Sequence, residues 1–400
     1  MQVGNFVQQP QGYKAFIPND FPPKKMITFS PDVYLANDKA TLMLGKLDGM
    51  AQIIPDVSFF LSTYVQKEAA LSSNIEGTKA TMHDAIRAAV SPSDSIPDDV
   101  ENIFSYIEAV KYGFGQVKDS PITLRVIREL HRRLMADTQE GVGKTPGEFR
   151  KTQNWIGGTR PDSANFVPPP PHELNKALAD VEKFINLPQP YSPLIKAALL
   201  HAQFETIHPF LDGNGRTGRL LIALQLHHDK MLEYPVLYLS EYFKRHRDVY
   251  FDRLSDYHNK GEVERWVLFF LEGVTSIAEE AIQVSKKLVA LREKHMTLAH
   301  SLGGKQAKTA IKLLEGLFGQ PIVDVAKVEE ITGLSRPAAN ALVKKFVDID
   351  ILQQVDEADT YGRQFAYAEY LILFHEPEIE RHNAKKKEKQ WTKTPKTKRV

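Results

Sequence analysis

The stretch His208-Pro-Phe-Leu-Asp-Gly-Asn-Gly-Arg-Thr-Gly-Arg219 places an imidazole, a carboxylate, three glycines and two guanidinium groups within twelve residues. A histidine with a free ring nitrogen can take a proton from a hydroxyl, and the carboxylate of Asp212 can hold one Mg²⁺ that also binds phosphate oxygens. The glycines let backbone N–H groups approach an anion. Arg216 and Arg219 lie three residues apart, so they would lie on one face of the first turn of a helix that begins near Gly215. The N-terminal end of such a helix favours phosphate binding. The stretch therefore predicts phosphate chemistry.

These residues match every fixed position of the Fic-family signature, H-P-F-x-[DE]-G-N-G-R-x-x-R, and the chain resembles Fic proteins on this motif. The resemblance implies that His208 deprotonates a hydroxyl of a target protein, whose oxygen attacks the α-phosphate of ATP and leaves AMP on Ser, Thr or Tyr. Asp212 would carry Mg²⁺, or Mn²⁺ in its place. The phosphates would be bound by Gly213, Asn214, Gly215, Arg216, Gly218 and Arg219. Phe210 is expected to anchor the loop in the core.

A second motif, Ser72-Ser-Asn-Ile-Glu-Gly77, fits the inhibitory pattern [ST]-x-x-x-E-[GN] of the same family. In Fic proteins of this type the glutamate pairs with the last arginine of the signature. The resemblance implies that Glu76 pairs with Arg219 in the seat of the γ-phosphate, so the enzyme is autoinhibited. Ser72 belongs to the same motif, and Gly77 is expected to follow the end of a helix over residues 65–75. Taken alone, the spacing is also typical of a solvated charge at a helix end.

The segment from about residue 150 to 170 resembles the Fic flap, a short hairpin that docks the backbone of the target by strand addition. Ile156, Gly157 and Phe166 are the candidate docking residues. Anchoring of the loop in the core is the alternative role for the two apolar side chains.

Downstream of the signature, residues 238–254 resemble a stretch that lies near the adenine in Fic proteins. The chain departs from the usual pattern there, because His246 replaces the common Asn and Phe251 replaces the second Tyr. The candidates for contact with the base or ribose are Tyr242, Arg245, Tyr250 and, upstream of the signature, Gln203. Ordinary helix–helix packing is the alternative for these side chains.

Composition excludes several classes of protein. The 400 residues include 42% hydrophobic and 25% charged residues, which is ordinary globular usage, and the formal net charge of +1 gives no general attraction to nucleic acid. The absence of cysteine excludes disulfides and thiolate metal sites and fits a reducing compartment. Because neither a signal sequence nor a membrane-spanning run is visible, we expect a cytoplasmic protein without membrane contact.

Helical periodicity dominates the chain and strand signals are few, which predicts a mainly α-helical fold with a short β-hairpin flap. The expected divisions are an N-terminal helical region over residues 1–95, a catalytic core over 96–285, a linker helix over 286–304, a winged helix-turn-helix domain over 305–375 and a basic tail over 376–400. The tail is expected to be disordered because it has many cations and no apolar periodicity.

The predicted C-terminal domain follows the order of a winged helix, with three helices and then two alternating segments at 351–355 and 363–367. Acidic residues crowd its loops, so protein docking or homodimer formation is favoured over DNA binding, which stays an alternative for this domain and the basic tail. Two alternatives to autoinhibited AMP transfer also stay open. One is a bifunctional or AMP-removing enzyme that uses Glu76, and the other is a nucleotide-sensing, DNA-binding regulator.

Overall fold

A computed structural model describes residues 2–53, 57–90, 97–118, 120–355 and 363–374. The chain divides into two compact units, Met1–Ser285 and Lys286–Val400. The described part is mainly helical, as predicted from the sequence. The predicted basic tail over 376–400 lies outside the described residues.

Unit 1 opens with an antiparallel hairpin of β1 (Gly4–Gln8) and β2 (Lys14–Pro18), in which Phe6 pairs with Phe16. Ten helices and the start of an eleventh follow in the described part of this unit. They are α1 (Pro31–Ile53), α2 (Val57–Ile75), α3 (Met82–Val90), α4 (Asp98–Val117), α5 (Leu124–Met135), α6 (Pro171–Asn186), α7 (Pro193–Ile207), α8 (Asn214–His228), α9 (Ser240–Arg245), α10 (Arg247–Lys260) and α11 (Val263–Ser301). The last helix passes the boundary between the units, so most of the expected linker helix is a continuation of α11. The hairpin β1–β2 was not predicted.

Local sequence signals explain several helix ends in unit 1. Thr81 and Asp84 form the capping box at the start of α3, since the Asp84 carboxylate accepts the Thr81 N–H at 2.8 Å and the Thr81 hydroxyl accepts the Asp84 N–H at 3.3 Å. The Thr123 hydroxyl caps α5 by accepting the N–H of Val126, and Ser192 caps α7 in the same way. These caps satisfy backbone donors that lack partners within a helix.

The core of unit 1 forms around α7 and α8, the two helices that flank the signature. Apart from Pro193 and Glu205, every residue of α7 is buried, which is typical of a central helix. Helices α4 and α5 pack on α8, and α6 and α10 pack on α7. Trp266 of α11 is fully buried and its indole N–H donates to the carbonyl of Ala198 at 2.7 Å. The signature loop is therefore held between two well-packed helices.

Unit 2 contains the end of α11 and a small mixed domain. Its further elements are α12 (Gly304–Gly319), β3 (Ile322–Val323), α13 (Val325–Thr332), α14 (Arg336–Asp348), β4 (Gln353–Gln354), β5 (Phe365–Ala366) and α15 (Ala368–Ile372). The strands form an antiparallel sheet in the order β3-β5-β4. Gly333, with a φ of 74°, turns the chain between α13 and α14. The three helices and the following strands β4 and β5 occur in the predicted order, while β3 and α15 were not predicted. The winged-helix assignment, DNA contact and dimer formation stay predictions. No helix among the described residues has the length and apolar character needed to span a membrane.

Helix α4 approaches α5 and α8 closely at Gly113. A Cβ atom at this position would lie 2.9 Å from Cδ1 of Leu224 and 3.0 Å from Cδ2 of Leu130. Gly115, two residues later on the same helix, would have nothing within 4 Å of its Cβ. The absence of a side chain at Gly113 therefore permits the contact that packs α4 against the signature helix.

We expect Gly113→Val to lower the free energy of unfolding of unit 1 by about 1–3 kcal/mol, because the added methyl groups overpack the contact with Leu224. Gly115→Val is the matched control and is expected to change the same quantity by no more than about 0.5 kcal/mol. Urea titration followed by tryptophan fluorescence, to which the buried Trp266 contributes, measures both changes. Equal effects of the two substitutions would show that Gly113 is not a packing constraint.

Candidate active site

A cavity of about 750 Å³ in unit 1 brings together the signature, the inhibitory motif and the flap. Its polar lining includes Glu76, Glu205, His208, Asp212, Gly213, Asn214, Gly215 and Arg219. Its more apolar lining comes from the flap and α10 and includes Trp155, Ile156, Phe166, Tyr250, Phe251, Leu254 and His258. Residues from four separate parts of the sequence thus line one concave cavity, which is the usual form of a ligand site.

The signature loop is a tight connection between α7 and α8. His208 ends α7 in the left-handed region with a φ of 49°, and Gly213 precedes α8 with a φ of 71°. Asn214 closes the loop, since its side-chain oxygen accepts the Phe210 N–H at 2.8 Å and its amide donates to the Phe210 carbonyl at 2.9 Å. Both polar atoms of this side chain thus bond to the backbone of Phe210 within the loop, which fixes the orientation of the Asn214 side chain.

His131 on α5 contacts the signature loop, and this role was not predicted from the sequence. Its ring stacks on Phe210 with centroids 3.7 Å apart and planes 3° from parallel. Its Nδ1 accepts the N–H of Gly147 at 2.8 Å, so Nε2 carries the proton and donates to the carbonyl of Asp212 at 2.9 Å. Burial lowers the pKa of His131 to about 4, which keeps the ring neutral at pH 7. One tautomer therefore links α5 to the backbone of Asp212.

His208 is placed as a neutral proton acceptor at the cavity. Its Nδ1 lies 3.3 Å from the carbonyl of Glu205, which leaves Nε2 for an incoming hydroxyl. Burial lowers the pKa of His208 to about 4, so the imidazole is neutral at physiological pH. Arg150 and Asn154 donate to the His208 carbonyl at 2.9 and 3.2 Å, and both were missed from the sequence. These two side chains hold the backbone of His208 in its left-handed conformation.

Asp212 contributes one carboxylate to the cavity. Its Oδ1 accepts the N–H of Gly213 at 2.7 Å, which fixes the orientation of the side chain. Within the described ranges, no group of three or more His, Asp or Glu side chains is arranged to hold a metal ion. A single carboxylate fits an ion such as Mg²⁺ only when phosphate oxygens and water complete its coordination.

Glu76 forms an ion pair with Arg219 beside the first turns of α8. The Arg219 guanidinium donates to the Glu76 carboxylate at 2.7 Å, and to the hydroxyl and carbonyl of Ser72 at 2.9 and 2.8 Å. Arg219 is buried, whereas the Glu76 side chain is 38% exposed toward the cavity. Loss of water around Glu76 would raise its pKa, but the charge of Arg219 and the hydrogen bond to it hold the pKa below its usual value. Glu76 is therefore ionised at pH 7.

The same carboxylate also occupies the anion-binding end of α8. A Cβ atom at Gly215 would lie 2.1 Å from Oε1 of Glu76, so only a glycine lets the carboxylate approach the first turn this closely. Backbone N–H groups and the positive end of the helix dipole stabilise anions at this position. Glu76 thus stands where a phosphate group of a ligand would be expected to bind.

Glu205 is a second carboxyl group in the cavity wall, and the sequence did not single it out. Burial raises the pKa of Glu205 to about 8, and its Oε1 has no hydrogen-bond partner among the described residues. A Cβ atom at Gly218 would lie 2.3 Å from that oxygen. Gly218 makes room for Glu205 and is not among the residues that line the cavity, and its binding of phosphate stays a prediction.

Arg216 also differs from its predicted position. Its guanidinium is buried, donates to the Glu140 carboxylate at 2.5 Å and to the Asn102 side chain at 3.3 Å, and does not line the cavity. Three residues along an α-helix correspond to a rotation of about 60° between side chains. In the packed protein this rotation directs Arg216 toward α4 and the loop after α5, while Arg219 faces α2.

Three of the four predicted base contacts do not line the cavity. Tyr242 packs against Gly273 of α11, where a Cβ atom would lie 2.7 Å from its ring. Arg245 forms surface ion pairs with Glu241 and Glu280, and Gln203 is buried on another side of α7. Tyr250 does line the cavity, with its hydroxyl 2.9 Å from Nε2 of His201. The helical pattern could not distinguish the face of α9 that meets α11 from a face that meets a ligand.

The flap forms a single antiparallel bridge between Ile156 and Phe166, whose backbone groups exchange hydrogen bonds of 2.8 and 3.2 Å. Gly157 has a φ of 71°, which the tight turn after Ile156 requires. Ile156 is 38% exposed, whereas Phe166 is buried and stacks on His258 with centroids 3.7 Å apart. Ile156 is therefore free to contact another molecule, and Phe166 anchors the flap.

We expect Glu205→Gln to remove a pH dependence from the stability of unit 1. The pKa of Glu205 is raised to about 8 from an ordinary 4.5, so between these values the folded state binds one more proton than the unfolded state. The free energy of unfolding therefore falls by up to about 1.4 kcal/mol per pH unit as pH rises toward 8.

Urea titrations at pH 5.5 and 7.5 should show a fall for the wild-type protein that exceeds the fall for Glu205→Gln by on the order of 2 kcal/mol. Glu108→Gln, at an exposed position, is the control and should keep the wild-type dependence. Identical pH dependence in the wild-type and Glu205→Gln proteins would disprove the raised pKa.

Comparison with known proteins agrees with this geometry. Residues 34–115 match the profile described as Fic/DOC family N-terminal, and residues 121–226 match the Fic/DOC family. The chain is 33% identical over 179 residues to protein adenylyltransferase Fic of Culex quinquefasciatus, a match that covers 44% of this chain and 32% of that protein. It is 32% identical over 207 residues to the protein of the same name from Drosophila grimshawi, which covers 50% and 39%. The matches thus span less than half the length of these curated relatives.

Solved structures show the same fold. A Fic family protein from Desulfovibrio desulfuricans G20 superimposes with a TM-score of 0.54 at 16% identity, and the match covers 86% of this chain and 98% of that one. Fic-1 of C. elegans, residues 134–508, gives a TM-score of 0.50 at 20% identity over 64% of this chain and 74% of that one. By the matches to residues 34–115 and 121–226, this part of the chain belongs to the Fic/DOC family, with the N-terminal family region ahead of the Fic domain.

Proposed function

We propose that this protein is an autoinhibited adenylyltransferase, which transfers AMP from ATP to a Ser, Thr or Tyr hydroxyl of a target protein and of itself. One observation supports the proposal most strongly. A neutral His208, the Asp212 carboxylate and the N-terminus of α8 line one cavity, in which Glu76 lies on Arg219. The relatives named protein adenylyltransferase Fic support the same class of reaction.

In the proposed forward reaction, Nε2 of His208 accepts the proton of the target hydroxyl as its oxygen attacks the α-phosphorus of ATP. The bond between the α-phosphorus and the bridging oxygen breaks, and pyrophosphate leaves. Backbone N–H groups at the start of α8 and the Arg219 guanidinium stabilise the charge on the phosphate oxygens. Asp212 would hold a Mg²⁺ or Mn²⁺ ion, which neutralises phosphate charge when bound.

Inhibition follows from competition between two anions. Glu76 and a terminal phosphate would both need Arg219 and the N-terminal amides next to Gly215. Because two anions repel each other at close range, the two groups exclude each other. Removal of the carboxylate leaves the buried Arg219 without its charge partner, and a phosphate then becomes its favoured partner.

The rest of the cavity wall is suited to bind the purine base of ATP and a segment of the target polypeptide. Apolar side chains of the flap and α10 provide a surface on which a purine ring can stack. The exposed edge of the flap at Ile156 can pair with an extended segment of the target, which brings a hydroxyl toward His208. Backbone pairing carries little sequence information, so the target would be selected mainly by surfaces outside the cavity.

The reverse reaction is a second candidate, because the ionised Glu76 and His208 line the same cavity. In that case Glu76 would orient a water molecule for attack on the AMP–protein bond, and the enzyme would remove AMP from a modified target. The two directions make different demands on Glu76, which inhibits the forward reaction and is required for the reverse one.

Incubation with ATP labelled at the α- or γ-phosphate tests the proposed function. We expect Glu76→Gly to incorporate α-label into protein at least about tenfold faster than the wild-type protein, since Arg219 then becomes available to phosphate. Glu148→Gly, which removes an exposed carboxylate paired with Arg128, is the control and should behave as wild type. The double variant Glu76→Gly/His208→Ala should incorporate no label, and γ-label should not appear on protein in any case.

Absence of α-label on Glu76→Gly would exclude ATP-dependent AMP transfer. In a second arm, protein labelled by Glu76→Gly is incubated with fresh enzyme. Loss of label with the wild-type protein but not with Glu76→Gly would establish the reverse reaction as the one that needs Glu76.

A further inference from the structure

The end of α2 just before Glu76 is held by an arginine outside the signature. The last four carbonyl oxygens of a helix have no partner within that helix. At this end all four are bonded, with Ser72 O accepting from Arg219, Ser73 O from the Glu76 N–H, Asn74 O from the Gly77 N–H and Ile75 O from Nε of Arg247 at 3.2 Å. Arg247 therefore caps the carbonyl directly before Glu76.

The junction between α9 and α10 also holds the neighbouring residue. Lys244 donates to the side-chain oxygen of Asn74 at 3.1 Å. The amide of Asn74 donates to the carbonyls of Thr78 and Ala80 at 3.1 and 3.0 Å, which closes the turn that follows Glu76. Contacts from this junction thus fix the chain on both sides of the Glu76 Cα atom.

Arg247 has a second contact, which reaches the cavity. Its guanidinium lies 4.9 Å from the centroid of the Phe251 ring, one turn further along α10. Phe251 lines the cavity and is 39% exposed. One side chain therefore touches both the inhibitory segment and the cavity wall on which a ligand would stack.

We propose that Arg247 is a positioning residue that keeps Glu76 on Arg219 and couples this contact to the wall of the cavity. The inference rests on the proposed function, because its consequence is a change in AMP transfer. Without the Arg247 guanidinium, Ile75 O loses its partner, so the arrangement with Glu76 on Arg219 becomes less favourable relative to one in which Glu76 has left. A ligand that packs on the Phe251 ring competes with the Arg247 guanidinium for that ring. It thereby weakens the contact of Arg247 with the end of α2.

The test compares Arg247→Met, which keeps most of the aliphatic stem, with Arg265→Met as the control. Arg265 is an exposed arginine of α11 that pairs with Glu262 at 2.9 Å and does not line the cavity. We expect Arg247→Met to raise α-label incorporation from ATP by on the order of threefold in the otherwise wild-type protein, whereas Arg265→Met leaves it unchanged. In the Glu76→Gly background, Arg247→Met should give no increase, because the contact it weakens is already absent.

Hydrogen exchange of the backbone amides of residues 74–80 supplies a readout that does not require activity. Exchange in this segment should be faster in Arg247→Met than in the wild-type and Arg265→Met proteins. Faster exchange without AMP transfer by any variant, Glu76→Gly included, would overturn the proposed function and leave the positioning role intact. Unchanged exchange, or an equal loss of activity in both backgrounds, would overturn the role of Arg247.

Discussion

The buried guanidinium of Arg219 requires an anion, and most of the cavity is arranged around this requirement. A charge in the protein interior is tolerated only when an opposite charge and hydrogen bonds compensate for the lost water. In this structure Glu76 supplies the opposite charge, and Ser72 supplies two further acceptors. Because the partner comes from the end of α2 and not from α8, the proposed exchange of Glu76 for a phosphate requires no unfolding of the helix that carries Arg219.

The groups around this pair limit the positive charge near it. His131 and His208 are both neutral at pH 7, since burial lowers their pKa values to about 4. Arg216 has its own carboxylate partner in Glu140 and contributes little free charge to the cavity. Arg219 is the only lysine or arginine among the described lining residues, so under the proposed function a single carboxylate would be sufficient to block the site.

Local sequence signals predicted part of the site, and the family resemblance predicted the Glu76–Arg219 pair, which joins distant residues, whereas side-chain directions that depend on packing were not predicted. The start of a helix near Gly215 and the anchoring role of Phe210 follow from the short-range chemistry of the signature. His131 was missed because its contacts with Asp212 join residues 81 positions apart, and a lone histidine on an amphipathic helix carries no signal. Arg216 and Tyr242 were expected to contact the nucleotide because their motifs resemble those of Fic proteins, whereas the neighbouring helices decide which direction each side chain faces in this structure. The hairpin β1–β2 was also missed. Its strand β2 pairs with a distant part of the chain, since the Phe16 N–H donates to the Val167 carbonyl at the end of the flap segment.

A crystal structure of Glu76→Gly with Mg²⁺ and an ATP analogue that cannot be cleaved between the α- and β-phosphates would test the competition between carboxylate and phosphate. Exchange of the two anions requires a terminal phosphate oxygen within about 3 Å of the Arg219 guanidinium and of the N–H groups at the start of α8. A triphosphate bound elsewhere in the cavity, with Arg219 still held only by Ser72, would show that Glu76 does not occupy the seat of a phosphate.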